Sequence, residues 1–404
     1  MVEQLGWVMN EYSCRGDQNY ESEALTKDNI EQVRDFFSKF NEYKPTPLYS
    51  LQQLAEYLGV GGIYVKDESR RMGLNAFKVL GSCYAVARCI AKRLGKDLQD
   101  ISFEELKSGE TKKKTGEIVF TTATDGNHGR GVAWTAKQLN QKAIVYVPRG
   151  TAQKRIENIE ALGAKVIVTD KNYNDTVRMA IENAAVNGWE IVQDTAWEGY
   201  EEIPLHIMQG YGLIALEALD QLKEMRIDKP THIFIQAGVG SLAGSILGFF
   251  SAAFGVERPS MVIVEPRKAD CIYRSLKAGE MEVVDGAMDT IMAGLACGEP
   301  NPLAWEIIKK NCDMAVSLPE YFAAQGMRIL ANPLPQDPTI VSGESGAVTT
   351  GFLSEIMRSG RLEEIKNALG LDRNARVLLI STEGETDPGI YRKVVWDGYY
   401  SLKE

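Results

Sequence analysis

The sequence predicts an α/β protein built on mostly parallel sheets covered by helices. Three observations carry this. From about residue 117 onward, short β-branched runs alternate with helical stretches. The runs are apolar from end to end, as strands buried on both faces must be. Several of them open into glycine-containing loops that lead straight into a helix, which places ligand sites at the carboxyl ends of the strands.

In chain order the runs are EIVFTTA (117–123), KAIVYVP (142–148), AKVIVTD (164–170) and EIVQD (190–194), followed by THIFIQAG (231–238), MVIVEP (261–266) and RVLLIST (376–382). The polar stretch 104–117, with Lys112, Lys113 and Lys114, reads as the clearest loop, its lysines a solvated surface. No repeat of fixed period and no low-complexity tract interrupts the pattern. After RVLLIST only a short tail is expected, too short for an added regulatory domain.

Composition narrows the function. At 404 residues the chain is long enough for two or three lobes. A net charge of −10 argues against a nucleic-acid partner, which needs a basic face. The N-terminus lacks the basic and apolar regions of a signal peptide, and no window approaches the roughly 20 apolar residues of a membrane span. These features point to a cytoplasmic protein without a membrane partner. The six cysteines show no CxxC spacing, so buried thiols are the default, with a Cys271–Cys297 pairing as the alternative. No HExxH or His/Asp cluster suggests a metal.

Three segments carry chemistry. In Asn75–Ser82, Lys78 stands at the start of an apolar helix, just after the charged run KDESRRMGLN. An amine set among Phe77, Val79 and Leu80 is costly to desolvate, and burial favours its neutral, nucleophilic form. The loop Thr121–Gly129 holds Asn127 between glycines, where backbone approaches a ligand closely and the amide offers both donor and acceptor. A capped turn is the alternative there, and His128 reads equally as a structural histidine. The loop Gly238–Val239–Gly240–Ser241–Leu242, between a strand and a helix, makes a phosphate cradle of backbone N–H groups. A dinucleotide site competes, with Glu265 where a ribose-binding acid would lie, but the spacing GxGxxxG is one residue too long.

A lysine able to form an imine, an asparagine beside it and a phosphate-holding loop are what pyridoxal 5′-phosphate needs. With these segments the chain resembles the fold-type II pyridoxal-phosphate enzymes, the group of the tryptophan synthase β-subunit and the serine/threonine dehydratases. The resemblance makes Lys78 the Schiff-base lysine, Asn127 the contact to the phenolic oxygen, and Gly238 to Leu242 the phosphate loop. In Ser381–Thr382–Glu383–Gly384 it implies a hydroxyl facing the pyridine nitrogen, Ser381 first and Thr382 next. A hydroxyl does not hold that nitrogen protonated, which favours loss of a β-substituent over transamination. Glu344, in Gly343–Ala347, resembles a loop near the ring and stays open between ring contact and cap.

Where dehydratases usually carry serine before the glycine of the asparagine loop, this chain carries Asp125. A carboxylate there would face the cofactor opposite Lys78, so each could remove the α-proton of one enantiomer. Asp194 ends another strand and is placed to bind a cationic group on the substrate. TTATDGNHGRGVAW, VQDTAWEGYEEIP and IMQGY resemble the 2,3-diaminopropionate ammonia-lyases, a family that eliminates the β-amine of either enantiomer to give pyruvate and ammonia. The resemblance implies a small amino-acid substrate and a homodimer. It also implies two lobes: a large one from 1–92 and 195–404, and a smaller α/β lobe, 93–194, inserted in it. A serine/threonine dehydratase, a β-replacement enzyme and a cofactor binder without turnover are the alternative readings.

Overall fold

The computed structural model describes residues 5–14, 22–124 and 126–402. Among the described residues, eleven strands form two sheets. They are β1 (Gly6–Met9), β2 (Leu48–Ser50), β3 (Gly62–Asp67), β4 (Val119–Ala123), β5 (Lys142–Val147) and β6 (Lys165–Val168), then β7 (Glu190–Ile191), β8 (His232–Gln236), β9 (Ser260–Pro266), β10 (Met314–Leu318) and β11 (Arg376–Ser381). The larger sheet has the order β1-β10-β9-β8-β11-β3-β2 and the smaller β6-β5-β4-β7. All pairings are parallel except β1 with β10 and β2 with β3 at the two edges. The chain leaves the large sheet after β3, builds the small sheet, and returns at β8.

Each of the seven apolar runs contains a strand, but β7 stops at Ile191, so Asp194 lies three residues beyond the strand it was expected to end. Four others lacked a legible signal, and β3 shows why. Its residues Gly62–Asp67 are all buried, yet they include Lys66 and Asp67, which interrupt the apolar run. The expected loop at 104–117 is corrected. It carries the helices Phe103–Leu106 and Gly109–Thr115. Ser102 and Ser108 cap them by accepting the N–H groups of Glu105 and Thr111, each at 3.1 Å. A lysine-rich face hid a capped helix. The lysines themselves face outward as expected, Lys113 and Lys114 being exposed.

Two helices set the position of Lys78. The helix Val79–Leu94 begins one residue after it and packs against Glu202–Glu224. At their crossing the backbones touch: a Cβ on Gly210 would lie 2.5 Å from the Leu80 carbonyl oxygen. Only glycine permits that approach. The segment before Lys78 is locked as well. Phe77 N–H donates to the Thr382 carbonyl at 3.2 Å, and Gly384 N–H to that of Asn75 at 3.0 Å. The loop bearing Lys78 is therefore tied to the chain leaving β11.

Candidate active site

Lys78, Asn127, Gly238, Val239, Gly240, Ser241, Leu242 and Thr382 line one cavity. Segments some 300 residues apart in the chain meet there because β3, β4, β8 and β11 all end toward it.

Lys78 is not the isolated amine its apolar neighbours suggest. Its Nζ is salt-bridged to Asp194 Oδ2, with Asp194 3 % and Lys78 18 % exposed at the side chain. Burial by itself would raise the Asp194 pKa. The Lys78 ammonium, with His128 behind it, outweighs that and holds the carboxyl down at about 2. The Asp194 main chain is pinned too. Its carbonyl accepts from Ser241 Oγ at 2.5 Å, and Asn301 Nδ2 donates to that same Oγ at 2.8 Å. The Ser241 hydroxyl is thus committed to the protein, and the loop offers its N–H groups.

Gly240 adopts φ +94°, which turns the loop into the helix Ser241–Phe254, whose first N–H groups have no intrahelical acceptor. This is a built anion cradle. The dinucleotide alternative does not hold. Glu265 is fully buried and accepts the N–H groups of Ile272 at 2.9 Å and Tyr273 at 2.6 Å, capping the next helix. All six cysteines are thiols, so the Cys271–Cys297 pairing is not formed. Cys271 donates to the Gly238 carbonyl across 3.7 Å instead.

Thr382, rather than Ser381, faces the cavity. The Ser381 hydroxyl donates to Ser342 at 2.8 Å and lies outside it. Thr382 Oγ1 accepts from Gln236 Nε2 at 3.0 Å, which leaves its own proton to donate into the cavity. Gln236 was legible only as one polar residue within the run THIFIQAG. The same Nε2 lies 2.8 and 3.0 Å from the Ser345 and Ile380 carbonyls, so its two N–H bonds are shared among three acceptors.

Glu383 was equally unremarked. It lines the cavity, and its Oε2 accepts from Asn127 Nδ2 at 2.5 Å. Its signal was an acid directly after the paired hydroxyls at a strand end. His128 is buried, with Nε2 2.8 Å from the Val192 carbonyl. Glu344 is buried in the wall of a neighbouring groove, not of this cavity. Burial, then the nearby Glu383 carboxylate, push its pKa up to about 8. Asp125 lies outside the described residues.

An amine, an asparagine amide, an N–H cradle and a donating hydroxyl around one cavity fit the parts of pyridoxal phosphate. The family model described as pyridoxal-phosphate dependent enzyme matches residues 39–378. The chain belongs to the pyridoxal-phosphate-dependent enzymes. Within that family it is 49 % identical over 381 residues to the diaminopropionate ammonia-lyase of Escherichia coli K12, covering 94 % of both chains. It is 50 % identical to that of Salmonella typhimurium, over 91 % of this chain and 92 % of the other. The crystal structure of the Escherichia coli enzyme in complex with an aminoacrylate-PLP azomethine reaction intermediate superposes with a TM-score of 0.92. It is 46 % identical and covers 99 % of each chain. Among the described residues, no helix is long and apolar enough to cross a membrane, and no group of three or more His, Cys, Asp or Glu is placed to hold a metal ion.

Proposed function

We propose that this chain eliminates the β-amine of 2,3-diaminopropionate, of either configuration, to give pyruvate and two ammonia molecules. The observation that carries the reading is the Lys78–Asp194 pair at the edge of a cavity lined by the anion cradle and the Thr382 hydroxyl. The half-identical ammonia-lyases support the substrate.

Bound pyridoxal phosphate would supply the electron sink for the carbanion at Cα. Lys78 Nζ is the amine that would hold the cofactor's carbonyl carbon, and with substrate bound it would take the α-proton of one enantiomer. Asp125 takes that of the other, a role resting on the sequence motif. Asp194 holds Nζ until substrate arrives and then accepts the distal ammonium, the same charge in the same place. The β-amine, already protonated and held by Asp194, leaves as ammonia when the C–N bond breaks and its electron pair stays on nitrogen. The N–H groups of Gly238 to Leu242 would hold the phosphate, and the Thr382 hydroxyl would donate to the ring nitrogen without protonating it. The released enamine hydrolyses to pyruvate and the second ammonia.

We further place the lobe division at 1–92 with 195–404 against 93–194, and the chain as a cytoplasmic homodimer. The two sheets support the first, family resemblance the second. Sedimentation velocity tests the dimer.

The deciding assay is pyruvate release from D- and L-diaminopropionate beside D- and L-serine and L-threonine. Preferred turnover of both diaminopropionate enantiomers is expected. Faster turnover of serine or threonine would replace this reading with a dehydratase. An Asp125→Asn variant with full activity on the D-isomer would remove the two-base element.

A further inference from the structure

Resting on the pyridoxal-phosphate reading, we infer that Glu383 is a positioning residue that sets the orientation of the Asn127 amide toward the cofactor.

Glu383 directly follows β11 of the large sheet, and Asn127 opens the helix Asn127–Gln138 after β4 of the small one. Their side chains meet across the cavity, with Nδ2 donating to Oε2 at 2.5 Å. Glu383 is 2 % exposed. Placing a carboxyl there is costly unless its contacts return something. Its Oε2 also accepts from Thr386 Oγ1 at 3.3 Å, to which Arg155 Nη2 donates from the small-sheet side at 3.4 Å. Its Oε1 is buried and has no partner among the described residues. Glu344 is the other acid close by, and its carboxyl is pushed up toward neutrality by burial and by Glu383.

An asparagine amide carries donors at one end and an acceptor at the other. With Nδ2 committed to Glu383, the second N–H and Oδ1 face the cavity in a fixed sense. An amide free to turn over would offer a phenolic oxygen a donor and an acceptor by turns. Glu383 removes that choice. The bond also spans the two sheets, so it sets Asn127 relative to Lys78 and Thr382, both beside the chain that carries Glu383.

The test is Glu383→Gln, which keeps the volume but both donates and accepts. Titrating apoprotein with pyridoxal phosphate, we expect about tenfold weaker binding, about 1.4 kcal/mol, and a displaced visible band. Thr386→Val loosens the same turn but leaves the Asn127 bond, and should change affinity by less than about twofold. In an Asn127→Ala background, Glu383→Gln should add nothing. Glu383→Asp, which falls short of Asn127, serves if the glutamine variant does not fold.

An unchanged band and affinity in Glu383→Gln would overturn the inference. So would a Thr386→Val variant that matches it, or additive effects in the double variant. Failure of the underlying reading looks different: wild-type protein would then give no visible band with pyridoxal phosphate and no pyruvate, and the inference would fall with it.

Discussion

Two buried polar clusters lie a few residues apart in the chain, and they treat charge in opposite ways. In the first, Arg71 forms a fork to Glu68, with both contacts at 2.8 Å, and reaches Glu217 at 2.8 and 2.9 Å. Lys66 Nζ lies 2.7 Å from the same Glu217 and donates to the Thr46 carbonyl and Gln221. Two cations face two acids, none of them more than 3 % exposed. The second cluster begins at Lys78. There Glu383 Oε1, Gln236 Oε1 and the Tyr211 hydroxyl are buried without partners among the described residues. A structural cluster satisfies itself, because an unmet buried group costs about 1–3 kcal/mol. A binding site leaves those groups for a ligand. Both clusters draw on one stretch of chain, the charged run KDESRRMGLN and the helix start at Lys78 beside it.

The sharpest break between the two is Lys78→Ala. Pyruvate release should fall by about 10,000-fold or more and the visible cofactor band should vanish, while the unfolding midpoint stays near wild type. Retained turnover would mean that Lys78 belongs with the structural ions. Glu217→Ala should do the reverse. It strands Arg71 and Lys66 and should lower stability by about 3–5 kcal/mol in denaturant titrations, while kcat per folded molecule holds. Because the Glu217 pKa is lowered to about 2, its stabilisation is present above the ordinary carboxylate range and disappears as pH falls through about 2.

Asp194→Asn comes next, with kcat for diaminopropionate down about 100-fold and a rise in KM if Asp194 receives the distal ammonium. A KM effect confined to substrates with two amines would sharpen the comparison further. The smallest effect belongs to Glu344→Gln. The folded pKa of about 8 lies above that of an unfolded glutamate, so stability contributed by the neutral acid is lost as pH rises between the two. The glutamine variant escapes that loss. Its advantage in thermal midpoint should be largest near pH 8 and shrink below pH 5. A pH-independent difference would place Glu344 with the fully satisfied ions.

Much of the molecule was legible in the chain. Continuous apolar runs announced seven strands, because a parallel sheet covered on both faces needs no polar side. Lys78, Asn127 and Gly238 to Leu242 stood out since each lies at a strand end or helix start, where backbone geometry and residue type reinforce each other. Strand β3 was not legible, because Lys66 and Asp67 are buried only by virtue of partners at Thr46, Glu217 and Ser69. Between Ser381 and Thr382 the sequence could offer only an order of preference. Tertiary contacts decided for Thr382: Ser381, the last residue of β11, gives its hydroxyl to Ser342, whereas Thr382, just past the strand, meets Gln236 and lines the cavity. Asp194 as the counter-ion of Lys78, and Glu383 as the acceptor for Asn127, came from tertiary structure alone. Pairings across 116 and 256 residues depend on how the two sheets meet, and local sequence carries no signal over that distance.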